Sequence, residues 1–590
     1  MFNETLVIIP YTKFNFLLAR NIFSFSSLCT LSENSEPQSF CYTTFLGFSM
    51  DQLSQLSSLL SSSSSNLNEY KIQISTFLIS ILFAYIFLHR WNQRNIKGPK
   101  SWPIVGAIIE LQMNLHRMHD WLTDYFVESK TFKVQLPNIT ITFISEPANV
   151  EHVLKTNFNN YPKGEAFHEL MEGFLGDGIF NSDGEMWRQQ RMIASLEFAS
   201  RNLRNFSTTV FRDYALILSG ILHQASICAN EIDMQELFMR MTLDSICKVG
   251  FGVEIGTLAH ELPDDNRFAK AFECAISNVM LRFFNPLWRI KRFLNVGSEA
   301  VLAQSIQVIN EFTFNLIDKR KAELHEVAKS NDSNGSKVKH DILSRFIELS
   351  ENPDNQLTDK SLRDVIINFV MAGRDTTTST LTWCIYMIMV NPNVAENIYK
   401  ELIAFEENQA NEVIGYEPED LKSFTAKVTQ FASLLTYDSL AKLSYLHATI
   451  TETLRLFSAV PQDPKGVLED DVLPDGTKVR AGDVVAYVPY AMGRMVYNWG
   501  PDATSFNPDR WFNEEGLFQS ESPFKFTAFQ AGPRTCLGKD SAYLQMKITL
   551  AILYRFFNFH LIPNHPVNYK IMTTLNMEHG LKLTITTRHS

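Results

Sequence analysis

Apolar residues recur at helical spacing through most of this chain. Intervals of three and four residues between apolar positions predict seven amphipathic or buried helices. Their ranges are Pro147 to Thr156, Gly184 to Ser200, Asp233 to Gly250, Ala300 to Val327, Leu362 to Val390, Pro392 to Glu406 and Ser444 to Phe457. A further helix is predicted from Lys539 to Phe557.

Strand patterns are less frequent than helical ones. Apolar alternation predicts a hairpin over Phe132 to Ile144, which turns at Pro137 and Asn138. It also predicts strands at Val484 to Tyr490 and Leu581 to Thr587. The chain is therefore predicted to be mainly α with a smaller β region.

No clear linker divides the chain, although its 590 residues would ordinarily suggest several domains. The polar residues from Lys329 to Lys339 predict a surface loop. Residues Glu407 to Leu435 are predicted to be an insertion between two helices.

One segment near the N-terminus, Ile72 to Leu88, is apolar enough to suggest a transmembrane anchor. A membrane span needs roughly 17–25 apolar residues, and polar side chains weaken this one. Basic residues follow it, which places the rest of the chain on the cytosolic side. These residues are Arg90, Arg94, Lys97 and Lys100. The alternative, a cleaved signal peptide, is disfavoured because the segment starts far from Met1.

The two flanks of this segment differ in composition. Residues 1–71 are serine-rich with little periodicity, so they are predicted to be a poorly ordered extension, and Met50 is an alternative start. Residues 89–106 are basic and proline-rich, and are predicted to be a hinge that orients the soluble domain, residues 107–590, on the membrane.

Composition narrows the possible partners. Hydrophobic residues make up 45% of the chain and charged residues 20%, which favours a large core over disorder. The 45 phenylalanines also suit a pocket for an apolar ligand. A net charge of -11 argues against nucleic acid, since binding phosphates requires a positive field. The seven cysteines are scattered without a CxxC pair, which is typical of reduced thiols facing the cytosol.

One of these cysteines, Cys536, lies in a glycine-flanked loop, Phe529 to Gly538. Gly532 and Gly538 allow backbone N–H groups to approach the sulfur, and the N-terminus of the following helix faces it. The loop is therefore predicted to hold the sulfur as a thiolate, the form that ligates haem iron and favours O–O cleavage. The alternative is a glycine-rich loop with an inert, buried cysteine.

A second element interrupts the predicted helix Leu362 to Val390 at Ala372 to Thr377. Gly373 costs about 1 kcal/mol relative to alanine in a helix interior, and hydroxyls that bond back to carbonyls bend helices. A local opening is predicted here, and an acid beside an alcohol can relay protons. The alternative is a capping site between two shorter helices.

Two further patterns carry charge. Glu452 and Arg455 share a helix face, and the segment Phe506 to Trp511 follows them with Arg510. Such a pair is usually a solvated contact of little energetic worth. The segment Trp187 to Arg191 places an aromatic and a cation on one face, either to bind an anion or as part of an ordinary amphipathic helix.

In this order, from Gly98 to the C-terminus, these elements resemble those of the cytochrome P450 family. The pattern Phe-x-x-Gly-x-Arg-x-Cys-x-Gly is similar to its haem-ligand signature. The resemblance implies a single, mostly helical domain with a smaller β region, preceded here by the anchor. It implies haem b with Cys536 as the axial ligand of the iron, and O2 and NADPH as co-substrates.

The resemblance also implies roles for other residues. Thr376 would be the hydroxyl beside bound oxygen, and Asp375 its acid partner. A buried charged cluster would brace the haem loop, and four further residues would hold the haem propionates. The cluster is Glu452, Arg455 and Arg510, and the propionate residues are Trp187, Arg191, Arg534 and Lys465.

Several segments resemble the plant clan of fatty-acid hydroxylases more narrowly, in the branch that acts on long-chain fatty acids for pollen-wall and cuticle polymers. They are Ala372 to Thr377, Gly176 to Glu185 before Trp187, Pro461 to Gly466 and the insertion at Glu407 to Leu435. The resemblance implies hydroxylation of long-chain fatty acids at or near the terminal carbon. Six residues would line an apolar channel or belong to the core: Phe174, Leu175, Met371, Ala372, Val460 and Pro461.

The implied partner is NADPH-cytochrome P450 reductase at the endoplasmic reticulum membrane, with a single-pass anchor and a cytosolic catalytic domain. A basic docking face would comprise Lys525, Arg188, Arg534 and Lys539. The alternatives are an isomerase or dehydratase of fatty-acid hydroperoxides, a monooxygenase of another apolar substrate, and a non-catalytic haem-binding protein.

Overall fold

The computed structural model describes residues 70–71, 73–88, 90–91, 94, 97–137, 139–259, 267–329, 341–351, 357–410 and 423–588. Its α-helices span Ile108–Met113, Met118–Glu128, Pro147–Glu151, Glu165–Leu175, Gly184–Phe198, Arg201–Cys228, Met234–Phe251, Arg267–Arg282, Trp288–Leu294, Ser298–Lys329, Ile342–Ser350, Asp359–Val390, Pro392–Ala410, Phe424–Leu434, Ser444–Leu456, Pro489–Met492, Val496–Trp499 and Lys539–Phe556. Short 3-10 turns lie at Leu115–Arg117, Phe158–Asn160, Ser439–Lys442, Pro508–Trp511 and Gly532–Arg534, and a π turn at His152–Thr156.

The β region consists of three small sheets. In the largest, the antiparallel hairpin Thr131–Leu136 and Ile139–Ile144 is extended by Val484–Tyr487 and then Asp463–Gly466. The second orders Ile232–Asp233, Lys582–Thr587 and Phe557–Leu561, and the third pairs Asp471–Val472 with Lys478–Val479. The expectation of a mainly helical fold with a smaller β region is confirmed.

The helix Asp359–Val390, called the long helix below, is buried along most of its length. Thr358 and Ser361 close its N-terminus as a reciprocal capping box. Residues Leu362 to Val370 and Thr377 to Ile385 are buried on all faces, so the helix runs through the core rather than along its surface. Its most extensive packing is against the helix Met234–Phe251.

The predicted opening of the long helix at Ala372 to Thr377 is wrong, because the helix is continuous through these residues. The cause is packing. A Cβ at Gly373 would lie 2.7 Å from Cγ1 of Ile246, so the glycine lets the neighbouring helix approach instead of breaking its own. The cost of glycine in a helix is outweighed by this close contact.

Two other elements end at residues different from those predicted, for reasons that lie in the local sequence. The strand predicted to reach Tyr490 ends at Tyr487, because Pro489 opens a short helix as its first residue. The predicted insertion starts with residues that extend the preceding helix to Ala410, and it ends with the helix Phe424–Leu434, whose apolar face joins the core.

Several predictions fall on residues outside the described part. These are the loop from residue 330 onward, residues 411–422 of the insertion, and most of the predicted extension at residues 1–71 with its alternative start. The five cysteines of the described residues, Cys228, Cys247, Cys274, Cys384 and Cys536, are free thiols.

One compact unit ends at Leu82, and a second runs from Phe83 to the C-terminus. In the first, residues 70–71 and 73–82 are helical, with exposed side chains. Among the residues that the structure describes, no helix combines the length and the apolar character needed to cross a bilayer.

The predicted hinge is fastened to the second unit. The backbone N–H of Lys133 donates to the carbonyl of Lys97 at 3.0 Å, and that of Ala107 donates to Gln135 at 2.8 Å. The segment from residue 97 to 107 therefore lies against the strand Thr131–Leu136.

Candidate active site

The loop that carries Cys536 is fixed at both ends. The N–H of Cys536 donates to the carbonyl of Phe529 at 2.9 Å. Gly532 has a φ of +66°, and a Cβ there would lie 2.0 Å from the carbonyl oxygen of Leu154, so only glycine fits. The helix Lys539–Phe556 starts three residues after Cys536.

The thiol of Cys536 lies in a concave setting. Its side chain is exposed to solvent, yet protein surrounds it closely enough that burial raises its pKa. The N–H of Gly538 and the charges of Arg191 and Lys539 oppose that rise without cancelling it. The N–H of Gly538 and the charges of Arg191 and Lys539 therefore favour an anion at this sulfur, whereas burial disfavours it.

Cationic side chains gather beside this loop. Arg191 Nη2 donates to the carbonyl of Thr535 at 2.5 Å. Arg534 Nη2 donates to Asp183 Oδ1 at 2.5 Å, and its guanidinium lies 4.3 Å from the centre of the Trp187 ring. These contacts join the loop to the start of the helix Gly184–Phe198.

A second buried group of charges continues this cluster. Lys465 is 1% exposed and donates to Asp463 Oδ2 at 2.9 Å. Lys163 donates to the other oxygen of Asp463 at 2.6 Å, and the Tyr487 hydroxyl donates to Oδ2 at 2.9 Å. Burial lowers the pKa of Lys465 to about 7, against the raising effect of Asp463, while Lys163 and Arg534 lower it further.

In its middle part, the long helix has one short stretch that is not fully buried, and this stretch is mostly apolar rather than charged. Within its buried length, Met371, Ala372, Gly373 and Thr376 remain half exposed. Phe198 lies between the long helix and the cysteine loop, since its ring lies 6.0 Å from that of Phe369, and 3.8 Å from where a Cβ of Gly538 would stand.

The hydroxyl and the acid of the long helix do not contact each other. Thr376 Oγ1 donates to the carbonyl of Ala372 at 2.7 Å. Asp375 Oδ1 accepts from Arg374 Nη1 at 2.9 Å. Both members of that pair are buried, and Asp375 Oδ2 and Arg374 Nε lack partners among the described residues. Burial raises the pKa of Asp375, and Arg374 opposes this rise.

The structure brings Glu452, Arg455 and Arg510 together. Arg455 donates to both oxygens of Glu452, at 2.8 and 2.7 Å, and both side chains are fully buried. Arg510 Nε lies 3.5 Å from Glu452, and the Trp511 indole donates to it at 3.0 Å. The remaining donors of Arg455 reach the carbonyls of Gly493, Ala503 and Ser505.

Comparison with known proteins agrees with this arrangement. A family model described as Cytochrome P450 matches residues 96–585. The chain is 64% identical over 513 residues to Cytochrome P450 704B1 of Arabidopsis thaliana, which covers 86% of this chain and 98% of that protein. It is 46% identical over 513 residues to Cytochrome P450 704C1 of Pinus taeda (86% and 95%), and 37% identical over 529 residues to Cytochrome P450 86B1 of Arabidopsis thaliana (88% and 90%).

The chain belongs to the cytochrome P450 family. It is therefore an oxidoreductase of the haem-thiolate type, and members of this family use O2 with electrons from a redox partner.

The charges beside Cys536 fit a haem. Cationic groups outnumber carboxylates here, since Arg191, Arg534, Lys465 and Lys163 stand against Asp183 and Asp463. Bound propionates would be attracted by these groups and would favour the charged form of Lys465. Arg534 Nε is also buried without a partner among the described residues, as a donor reserved for such an anion would be.

The six predicted channel residues separate into two groups. Phe174 and Leu175 are each 1% exposed and belong to the hydrophobic core, so here they act as packing rather than as a cavity wall. Pro461 is also buried. Met371, Ala372 and Val460 keep exposed surface.

The predicted basic docking face needs one correction. The side chain of Arg534 is 7% exposed and is paired with Asp183, so it cannot belong to a surface. Arg188 and Lys539 are exposed, and Lys525 is half-buried beside Glu521.

Sequence reasoning missed the anions of this site. Asp463 stands two positions before Lys465 on one strand, so both side chains point to the same buried face. That spacing was a usable signal. The ion pairs of Lys163 with Asp463 and of Arg534 with Asp183 carry no such signal, because they join residues 300 and 351 positions apart in the sequence.

Proposed function

We propose that this protein is a monooxygenase that hydroxylates long-chain fatty acids at or near the terminal carbon. Electrons would come from NADPH through NADPH-cytochrome P450 reductase. The observation that supports this best is the half-exposed stretch of the long helix, which is apolar at Met371 and Ala372 and carries a single hydroxyl at Thr376.

The residues around Cys536 would hold haem b. Bound haem would supply the oxidising chemistry, and the Cys536 thiolate would be the ligand of its iron. Arg191, Arg534, Lys465 and the Trp187 indole would bind the propionates, and Glu452, Arg455 and Arg510 would keep the loop in place.

Thr376 and Asp375 would deliver protons. The Thr376 hydroxyl can donate to a substrate-side acceptor only by leaving the Ala372 carbonyl, which its rotation about χ1 permits. Asp375 lies next to it in the chain, and its raised pKa keeps a proton available over a wider pH range than for an exposed aspartate. Arg374, which donates to Asp375 Oδ1, would stabilise the carboxylate that remains after Asp375 gives up its proton.

An apolar wall selects an apolar substrate by excluding water. Each methylene group that an acyl chain buries contributes about 0.8 kcal/mol. Binding should therefore strengthen with chain length until the channel is filled.

The test is a panel of fatty acids of increasing length, incubated with the protein in microsomes that contain reductase. Long chains should shift the haem toward its water-free spectrum and give products hydroxylated at or near the chain end by mass spectrometry. Short acids and bulky terpenoids should do neither. Turnover of a sterol or phenylpropanoid without any fatty-acid product would refute the substrate class, and NADPH-independent turnover of fatty-acid hydroperoxides would favour an isomerase.

Replacing Thr376 with alanine should leave haem and substrate binding nearly unchanged while NADPH consumption is diverted to peroxide. The reason is that the proton source is removed without a change in the apolar wall. The measurement is product and peroxide formed per NADPH consumed. Thr382 is the matched control, because its hydroxyl makes the same bond to a carbonyl four residues back, but is buried in the core. Unchanged coupling in the Thr376→Ala variant would rule out the relay.

We also propose that Ile72 to Leu88 anchors the protein in the endoplasmic reticulum membrane, with the catalytic domain in the cytosol. Two features support this. Apolar side chains such as Ile74, Phe77 and Leu78 are more than half exposed on a helix, and basic residues follow the segment. Protease added to sealed microsomes should digest the chain after Arg90, whereas complete protection would mean the opposite topology.

A further inference from the structure

A groove of about 510 Å³ lies between the edge of the largest sheet and the hairpin around residue 475. Four cations line it: Lys97, Lys133, Lys478 and Arg480. One carboxylate, Asp483, also lines it, but one of its oxygens accepts the N–H of Thr140 at 3.1 Å. The groove is therefore strongly positive within a chain whose net charge is -11.

Hydrogen bonds hold the residues that line the groove in place. Lys133 Nζ donates to the carbonyl of Lys478 at 2.6 Å and so joins the two strands that form its walls. Lys97 is held by the backbone bond from Lys133. Two more carboxylates nearby are already engaged, Asp475 by Thr131 and Thr477, and Asp470 by the N–H of Ala481.

Among the described residues that line the groove, these four cations face one carboxylate, Asp483. Burial lowers the pKa of Lys133, with Asp483 raising and Arg480 lowering it, so Lys133 is partly desolvated beside another cation. Such a group gains most from a bound anion, and Arg480 can bind a phosphate through two parallel N–H donors.

An exposed apolar surface adjoins one end of the groove. Gln135, which lines the groove, accepts the N–H of Ala107. The turn before Ala107 exposes Ile104 (81%), and the helix after it exposes Met113 (71%), along with Trp102, Val105 and Ile109. A basic groove bordered by apolar side chains matches a phosphate headgroup with its acyl chains alongside.

We propose that this groove binds the phosphate headgroup of an anionic membrane phospholipid, with the apolar turn at Trp102 to Val105 against the lipid tails. In the sequence Lys97 lies nine residues after the proposed anchor, so this proposal rests on that anchor holding the chain at a bilayer. An acidic protein would otherwise be repelled by an anionic surface, and the local site offsets that repulsion. This site is independent of the fatty-acid hydroxylation proposed above.

The test measures the acylation rate of individual lysines in the full-length holoprotein, reconstituted in nanodiscs of phosphatidylcholine alone or with phosphatidic acid. Labelling of Lys133 and Lys478 should slow several-fold when phosphatidic acid is present. Inorganic phosphate, or a free fatty acid, added to phosphatidylcholine nanodiscs should not reproduce the protection.

Two double variants distinguish protection by a headgroup bound in the groove from general protection of lysines near a membrane. Lys478→Gln with Arg480→Gln should abolish the protection of Lys133 but leave that of Lys100. The control, Lys319→Gln with Lys400→Gln, removes the same charge at exposed positions outside the groove and should change nothing. Retention of the carbon-monoxide difference spectrum shows that each variant is folded.

Three outcomes would overturn the proposal. They are no protection of Lys133 by phosphatidic acid, protection that survives the Lys478 and Arg480 changes, and equal protection by inorganic phosphate or fatty acid. The last would identify a free-anion or substrate site instead of a lipid site. None of them bears on the products formed from fatty acids, so the two proposals can fail separately.

Discussion

Replacing Cys536 with alanine is expected to abolish the long-wavelength absorption band of the reduced, carbon-monoxide-bound protein. That band depends on a thiolate at the iron, and alanine offers no ligand there. The propionate contacts do not involve the sulfur, so some haem should still bind. The spectrum of purified protein at equal haem content is the measurement.

The control for this prediction is Cys228→Ala, since Cys228 is another exposed free thiol but lies at the end of a distant helix. It should keep the full band. A Cys536→Ala variant with an undiminished band would exclude Cys536 as the axial ligand. A band lost equally in both variants would point to general damage by cysteine removal.

Much of the fold could be predicted because its helices follow local signals. The long helix begins at Asp359, three residues before the predicted Leu362. Its capping box is hard to recognise in the sequence, because Ser361 takes the place of the usual glutamate opposite Thr358. The end of the strand at Tyr487 was also signalled locally, by Pro489. The opening at Gly373 could not be judged locally, since its packing partner, Ile246, belongs to another helix.

The candidate site was predictable where a motif is contiguous. Cys536 and its glycines, or Glu452 and Arg455, stand within one loop or one helix turn. Pairings across the fold were not predictable. The sequence predicts Arg534 both at a propionate and on a docking face. Its bond to Asp183, 351 residues away, excludes it from the docking face, and this bond cannot be read from the sequence. The thiol pKa likewise depends on burial, which no motif states.

Glu452→Gln is expected to destabilise the protein strongly. Glu452 is fully buried and accepts bonds from Arg455, Trp511 and the N–H of Asn507. Removing one member of a buried ion pair costs about 3–5 kcal/mol, because the other charge stays buried and unpaired. Denaturant unfolding, followed through backbone circular dichroism and separately through the haem absorption, would measure the loss.

Two other variants provide a comparison for the loss of unfolding free energy in Glu452→Gln. Glu169 makes the same two-bonded contact, with Arg289, at 2.8 and 2.5 Å, but both side chains are well exposed. Glu169→Gln should therefore change stability little, because water screens and replaces the pair. Arg510→Gln should fall between the two, since Arg510 lies 3.5 Å from Glu452 and is 13% exposed. Equal losses for Glu452→Gln and Glu169→Gln would mean that burial does not govern this cluster. A loss confined to haem retention, with the unfolding free energy of the protein unchanged, would make the cluster part of the haem site and not a brace of the fold.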